Sequence, residues 1–146
     1  MEIAVLALGC FWGPEIKFGK LEGITKTEVG YCGGNSAITT YEEVCSGSTN
    51  HAEVVKLEFD PKKISYEKIL QYFFEIHNPT SLNSQGPDIG TQYRSEIFYI
   101  NELQMKTAEK IIEEKNKKLS GKVVTKLSKL NNYCKAEDYH QKYLEK

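Results

Sequence analysis

The sequence predicts an α+β fold: a ferredoxin-like two-layer α/β plait with a mainly antiparallel mixed sheet and extra C-terminal elements. Three observations predict it. Residues 52–59 alternate apolar and charged side chains with the period of a half-buried strand. Residues 65–77 and 102–119 repeat apolar side chains at helical spacing. The whole chain reads β-α-β-β-α-β-α-β-α, and its first six elements match the split β-α-β pattern.

In order, Ile3 to Leu8 is a short apolar run that reads as a buried strand. Pro14 suits the first turn of a helix, where its missing N–H breaks no hydrogen bond, and that helix ends near Leu21. Ile24 to Tyr31 carries the mixed β-formers of a second strand, closed by Gly33-Gly34. Ala52 to Phe59 is the third, ended by Asp60-Pro61. Ser65 caps a helix whose third turn position is Lys68 and which runs to about His77. From Asn78-Pro79 to Tyr93 the chain is too polar and too broken by Gly and Pro for a regular element, and loops of that length carry function. Ser95 to Ile100 reads as a strand, Glu102 to Leu119 as a charged amphipathic helix, Lys122 to Leu127 as a last strand and Ala136 to Leu144 as a terminal helix.

The 146 residues, 40% hydrophobic and 27% charged, make one domain spanning residues 1–146 with a core of its own. A net charge of -1 exerts no general pull on nucleic acid or a membrane surface. The apolar run at 3–8 is too short for a signal-peptide core or a membrane span, so the expected location is the cytoplasm. Four cysteines, Cys10, Cys32, Cys45 and Cys134, lack paired C-x-x-C spacing, so no metal is expected and the thiols are free or transiently paired.

Cys10 is the cysteine to watch, because it falls between a strand end and a helix start. Unpaired N–H groups at a helix N-terminus favour an anion, which predicts a thiolate more easily formed than in a free cysteine. Phe11 and Trp12, the only Trp, stand ready to wall an apolar pocket against the sulfur. Glu53 is either a solvated strand carboxylate or a general acid with a raised pKa, kept neutral by an apolar pocket. His51 offers a hydrogen bond, and Asp138 with His140 could complete a Cys-His-Asp set with Cys10. Tyr41, Asp88 and Tyr93 lie in segments of small and polar residues; the two tyrosine hydroxyls either end in water or hold a substrate oxygen. No phosphate-binding glycine loop, dinucleotide fingerprint or serine nucleophile elbow is present, which excludes the common nucleotide chemistries.

The blocks GCFWGPE, GYCGG, YEEVCSGSTNHAEVV, HNPTSLNSQGPDIGTQYRSEIFY and AEDYHQKYL follow one another along nearly the whole chain. In that order they closely resemble the peptide methionine sulfoxide reductase A family. The resemblance implies thiol-dependent reduction of the S epimer of methionine sulfoxide, free or in oxidised proteins and peptides. It implies Cys10 as nucleophile, Phe11 and Trp12 around the substrate methyl group, and Glu53 as acid. Tyr41 and Tyr93 would hold the sulfoxide oxygen with Glu53, and Asp88 would orient substrate or thiol. No bound cofactor is implied; the electrons come from an external thiol, thioredoxin, glutaredoxin with glutathione, or dithiothreitol, and the enzyme is expected to be a monomer. The other reading is a non-catalytic module that binds oxidised methionine.

Many family members carry resolving cysteines in a glycine-rich tail after the AEDYHQ block, whereas this sequence reaches Lys146 soon after it. Cys134 and, behind it, Cys32 are the possible internal resolvers, and Cys45 reads as a packed residue. The simpler expectation is a single-thiol cycle in which the external thiol attacks oxidised Cys10 directly. Two departures from the family's blocks are benign by expectation. Asn50 replaces a common Gly and is among the best substitutes if that position has positive φ. Asn78 replaces a common Asp and can make the same turn contacts.

Overall fold

A computed structural model of the chain describes residues 1–145. Its elements are β1 (Glu2–Leu8), α1 (Trp12–Gly19), β2 (Ile24–Cys32), α2 (Tyr41–Cys45), β3 (Ala52–Phe59), α3 (Tyr66–Glu75), a two-residue hairpin of β4 (Ser84–Gln85) and β5 (Asp88–Ile89), β6 (Ser95–Tyr99), α4 (Glu102–Lys118), β7 (Lys126–Lys129) and β8 (Cys134–Lys135). Six strands form one mixed sheet in the order β7-β6-β1-β3-β2-β8. All its pairings are antiparallel except β6 with β7.

Alternation along the strands divides the core in two. Leu6 and Leu8 of β1, Val55, Leu57 and Phe59 of β3 and Ile97 of β6 face Phe18 of α1, Ile69, Leu70 and Phe73 of α3 and Ile111 of α4. Val5, Ala7, Ala52, Val54, Cys32 and Phe98 face the other way, beneath Leu130 and Tyr133. The period-two pattern is thus satisfied on both faces, one by helices and one by a returning loop. Ser65 caps α3 as its position predicts, its side chain accepting from the Lys68 N–H.

Two C-terminal elements differ from expectation. The last strand begins at Lys126, four residues after the start expected from the Lys122 to Leu127 reading, because Val124 donates its N–H to Pro79 O and pairing with β6 starts at Glu96↔Lys126. In place of a terminal helix stand two 3-10 turns, Asp138–His140 and Tyr143–Glu145. Long-range bonds hold this segment: Glu137 accepts from the Tyr31 hydroxyl and the Tyr41 N–H, and Lys142 donates its N–H to buried Glu15. Lys142 has φ 51, which breaks any helix at that point. α2 and β8 have too few residues to show a period in the sequence.

Candidate active site

At one end of the sheet, the end of β1 and the start of β3 lie side by side under the N-terminus of α1. Phe11 is the N-cap of α1 and offers no side-chain cap, so the first N–H groups of the helix stay available. Two acidic groups use them. The Trp12 N–H points at the Cys10 sulfur, and Phe11 N–H donates to Glu53 Oε1 at 3.3 Å. Gly9 makes this possible with φ 101, and a Cβ there would meet Gln85 Cβ at 2.9 Å. Gln85 in turn exchanges two hydrogen bonds with the backbone of Asn78, which pins the β4–β5 hairpin across the end of β1.

Glu53 continues the inward row of Phe59, Leu57 and Val55 along β3. It is only 1% exposed, and its Oε2 is buried with no hydrogen-bond partner. Burial, opposed by the Phe11 N–H and reinforced by the charge at Asp88, pushes its carboxyl up to about 8. Of the two sequence readings, the solvated carboxylate is therefore the wrong one. At neutral pH the group is a carboxylic acid with one oxygen free to deliver a proton.

Cys10 departs from expectation in the opposite sense. Burial is the largest influence on it, only partly offset by the Trp12 N–H, and the negative charges at Glu53 and Asp88 add to it; the thiol is pushed up to about 11. A helix-end interaction contributes about 0.3–1 kcal/mol. The net movement is upward even with the Trp12 N–H included, so burial wins. The resting sulfur is a thiol.

Tyr41, Asp88 and Tyr93 converge on the same pair. Burial and then the Cys45 sulfur, to which its hydroxyl is hydrogen-bonded, push Tyr41 well above the usual phenol range, with Glu53 adding to the effect. Tyr93 is pushed up to about 12 by burial first, then by the charges of Glu53, Cys45, Asp88 and Cys10. The turn carrying Tyr93 is fixed by Arg94, which donates to Thr91 O and pairs with buried Glu96 at 2.7 Å. Phe11 is buried among Val29, Tyr31, Val44 and Ala136, while Trp12 lies half-exposed at the rim of that cluster.

The C-terminal turns supply His140, singled out in the sequence, together with Tyr143, Glu137 and Gln141, which are not. Tyr143 stacks on Trp12 with ring centres 3.9 Å apart, and Trp12 Nε1–H donates to His140 Nδ1 at 3.1 Å. His140 is thus directed at the indole, and its ring also packs on Phe11 and Tyr41. Glu137 and Gln141 anchor the segment to β2. Glu137, Gln141 and Tyr143 have no local signature, since each acts across more than 90 residues of chain.

The other candidates are placed as follows. Cys32 is fully buried on the opposite face of the sheet, donating to Asn131 O. Cys134 is half-buried beside Thr39 O, and Cys45 is exposed, contrary to the packed role expected of it. His51 hydrogen-bonds Ser36 O. Asn50 has φ 56, the positive value for which Asn suits it, and Asn78 Oδ1 accepts from the Thr80 N–H and hydroxyl. Among the described residues no group of three or more His, Cys, Asp or Glu side chains could hold a metal ion, and no helix is long and apolar enough to cross a membrane.

A family model for peptide methionine sulfoxide reductase matches residues 2–146. The chain belongs to that family. A peptide methionine sulfoxide reductase MsrA of Pelagibacter ubique (strain HTCC1062) is 73% identical over 146 residues, covering 100% of this chain and 99% of its relative. Mxr1 of Saccharomyces cerevisiae in reduced form superposes with a TM-score of 0.94 at 39% identity, over 99% of this chain and 84% of that one. Mxr1 in complex with Trx2 gives a TM-score of 0.70 at 28% identity, over 97% and 84%. As a reductase of this family the chain is an enzyme, and its reaction is thiol-dependent reduction of methionine sulfoxide.

Proposed function

We propose that the chain reduces the S epimer of methionine sulfoxide, free or within oxidised proteins, with Cys10 as nucleophile and Glu53 as general acid. The observation that carries this reading is the shared helix N-terminus: a thiol and a buried carboxylic acid with an unpartnered oxygen meet at one point. A sulfoxide sulfur is a poor electrophile until its oxygen is protonated, so the acid must sit at that oxygen. Glu53 Oε2 gives its proton to the sulfoxide oxygen while the Tyr41 and Tyr93 hydroxyls donate hydrogen bonds to it. The Cys10 sulfur bonds to the substrate sulfur and its proton passes to the Glu53 carboxylate, which restores the acid. The hydroxyl then passes from the substrate sulfur to the Cys10 sulfur as the substrate S–O bond and the new S–S bond break and methionine departs, so that Cys–SH and the sulfoxide become Cys–SOH and the thioether.

Phe11 and Trp12 flank the methyl group, and Asp88 orients substrate or thiol from the hairpin edge. Exposed Ile89 and Tyr139, the chain neighbours of Asp88 and His140, support access by apolar segments of oxidised proteins. An external thiol must return the sulfenic acid to the thiol. The complex of Mxr1 with Trx2 supports thioredoxin as that donor, with glutaredoxin, glutathione or dithiothreitol able to serve chemically. The strand order β6-β1-β3-β2 supports a ferredoxin-like plait at the centre of the sheet, within a single catalytic domain. We take the protein to act as a cytoplasmic monomer. The test mixes pure protein, dithiothreitol and each sulfoxide epimer and measures methionine. Turnover of the S epimer is expected; binding without turnover would favour a recognition module.

A further inference from the structure

We propose that the enzyme selects oxidised methionines flanked by a run of Asp or Glu, which a lysine-rich surface beside the site holds. This rests on Cys10 as the reacting thiol and narrows the substrate class given above. The net charge of -1 conceals a segregation: residues 115–135 carry seven Lys and no Asp or Glu, whereas residues 1–114 carry 17 acidic against 10 basic side chains. The basic stretch spans the end of α4, the turn after it and the outer strand β7.

Helix polarity accounts for part of it. Lys115, Lys117 and Lys118 stand in the last turn of α4, where cations complement the free carbonyls, and Lys117 also pairs with Glu113 at 3.4 Å. Lys122 and Lys126 lie beyond the helix and are exposed, so the helix end gives no reason for them. Among the described residues neither pairs with a carboxylate.

The topology brings this charge to the catalytic end of the sheet. Lys126 pairs with Glu96, which pairs with Ala7, three residues before Cys10. Two strand spacings, roughly 10 Å, therefore separate it from the strand that leads to the thiol. The turn holding Lys122 also touches the segment that roofs the site. Val124 donates its N–H to Pro79 O at 2.8 Å, Asn78 exchanges two hydrogen bonds with Gln85, and Gln85 lies against Gly9.

On the other side of Cys10, towards β2, α2 presents exposed Glu42 and Glu43 and the turn after β8 presents exposed Asp138, with Lys135 partly offsetting them. A peptide seated with its sulfoxide at Cys10 thus meets cations towards β7 and anions towards β8. Acidic residues on the β7 side are attracted and basic ones repelled. At 0.1 M salt the screening length is about 10 Å, so this field reaches the bound peptide.

The experiment compares three peptides of equal length, each with one methionine sulfoxide: a run of Glu before it, a run of Glu after it, or Gln in both places, with dithiothreitol as reductant. One of the two Glu peptides should exceed the Gln peptide at least about fivefold in kcat/KM at about 20 mM NaCl, and the gap should fall below about twofold at about 0.5 M. Lys118→Glu/Lys122→Glu/Lys126→Glu should lose the preference and keep wild-type turnover of free methionine sulfoxide. Lys62→Glu/Lys63→Glu, which makes the same kind of change beyond the far end of β3, should retain it. Equal rates for all three peptides, a preference that survives in the first variant, or its loss in the second would overturn the proposal. A raised KM for thioredoxin in the first variant, with its peptide kinetics unaltered, would assign the surface to the reductant instead. Absence of turnover of free methionine sulfoxide by the wild type would overturn the reading on which the proposal rests.

Discussion

Glu53→Gln separates the cost of the buried acid from its use. Gln keeps the shape and can still accept from the Phe11 N–H, but it has no acidic proton to give. Folding raises this carboxyl from 4.5 to about 8, so the folded state holds a proton that the unfolded chain releases between those values. The sign follows: stability attached to this group is greatest below 4.5 and falls as pH rises towards 8. Each pH unit in that window is worth about 1.4 kcal/mol. Gln carries no such cost, so the variant should gain roughly 1 kcal/mol at pH 5 and roughly 3 kcal/mol at pH 7 over the wild type. Loss of a general acid should slow methionine release by about 10²–10⁴. Urea unfolding at both pH values and a quenched single turnover measure the two effects on the same samples. A variant with wild-type rate, or a stability gain that does not grow with pH, would refute the argument.

The single-turnover rate of the wild type should be flat below neutrality and fall as pH rises through about 8, where Glu53 loses its proton, and the fall should vanish in Glu53→Gln. Stopped reactions in a series of buffers read this; a rate that climbs through pH 8 would mean that a preformed thiolate is the reactive species. Gly9→Ala should cost about 2 kcal/mol in urea unfolding, from positive φ and the close Gln85 side chain, and lower activity by moving Cys10 and the hairpin together. Tyr143→Ala removes a ring stack worth about 0.5–1.5 kcal/mol, so the KM for a peptide sulfoxide should rise about two- to tenfold. Because Trp12 is the only Trp, its emission should shift to the red in the same variant, and unchanged fluorescence would show that Tyr143 does not shield it.

Features whose causes are local could be read from the sequence. The Ala52–Phe59 alternation and the Ser65 cap are set by neighbours a few residues away, and both elements lie where expected. The same alternation turns Glu53 inward with Val55, a signal present in the sequence but outweighed there by the rarity of buried carboxylates. The protonation of Cys10 is not legible locally, because a helix end is local whereas the burial that outweighs it, with Glu53 and Asp88 adding to it, is assembled from distant parts of the chain. The terminal segment has the spacing of a helix in residues 136–144, yet Tyr31, Val29 and Glu15 decide its conformation from a hundred or more residues away. The groups proposed to react are picked out by their motif blocks; their protonation is set by folding.

Gln141 has a consequence for how the molecule behaves among its copies. Its side-chain amide accepts from the Val29 N–H and donates to Val29 O, both at 2.9 Å, in the manner of one more residue of a neighbouring strand. β8 pairs only with Gly30 and Tyr31, so this side chain and the Ala136 N–H, which donates to Val29 O, lengthen the cover along the outer margin of β2. Where Gln141 lets go, the Val29 N–H is left open on that margin, and an open donor on a strand edge invites pairing with another molecule. The segment that stacks on Trp12 therefore also keeps the protein from joining its own kind.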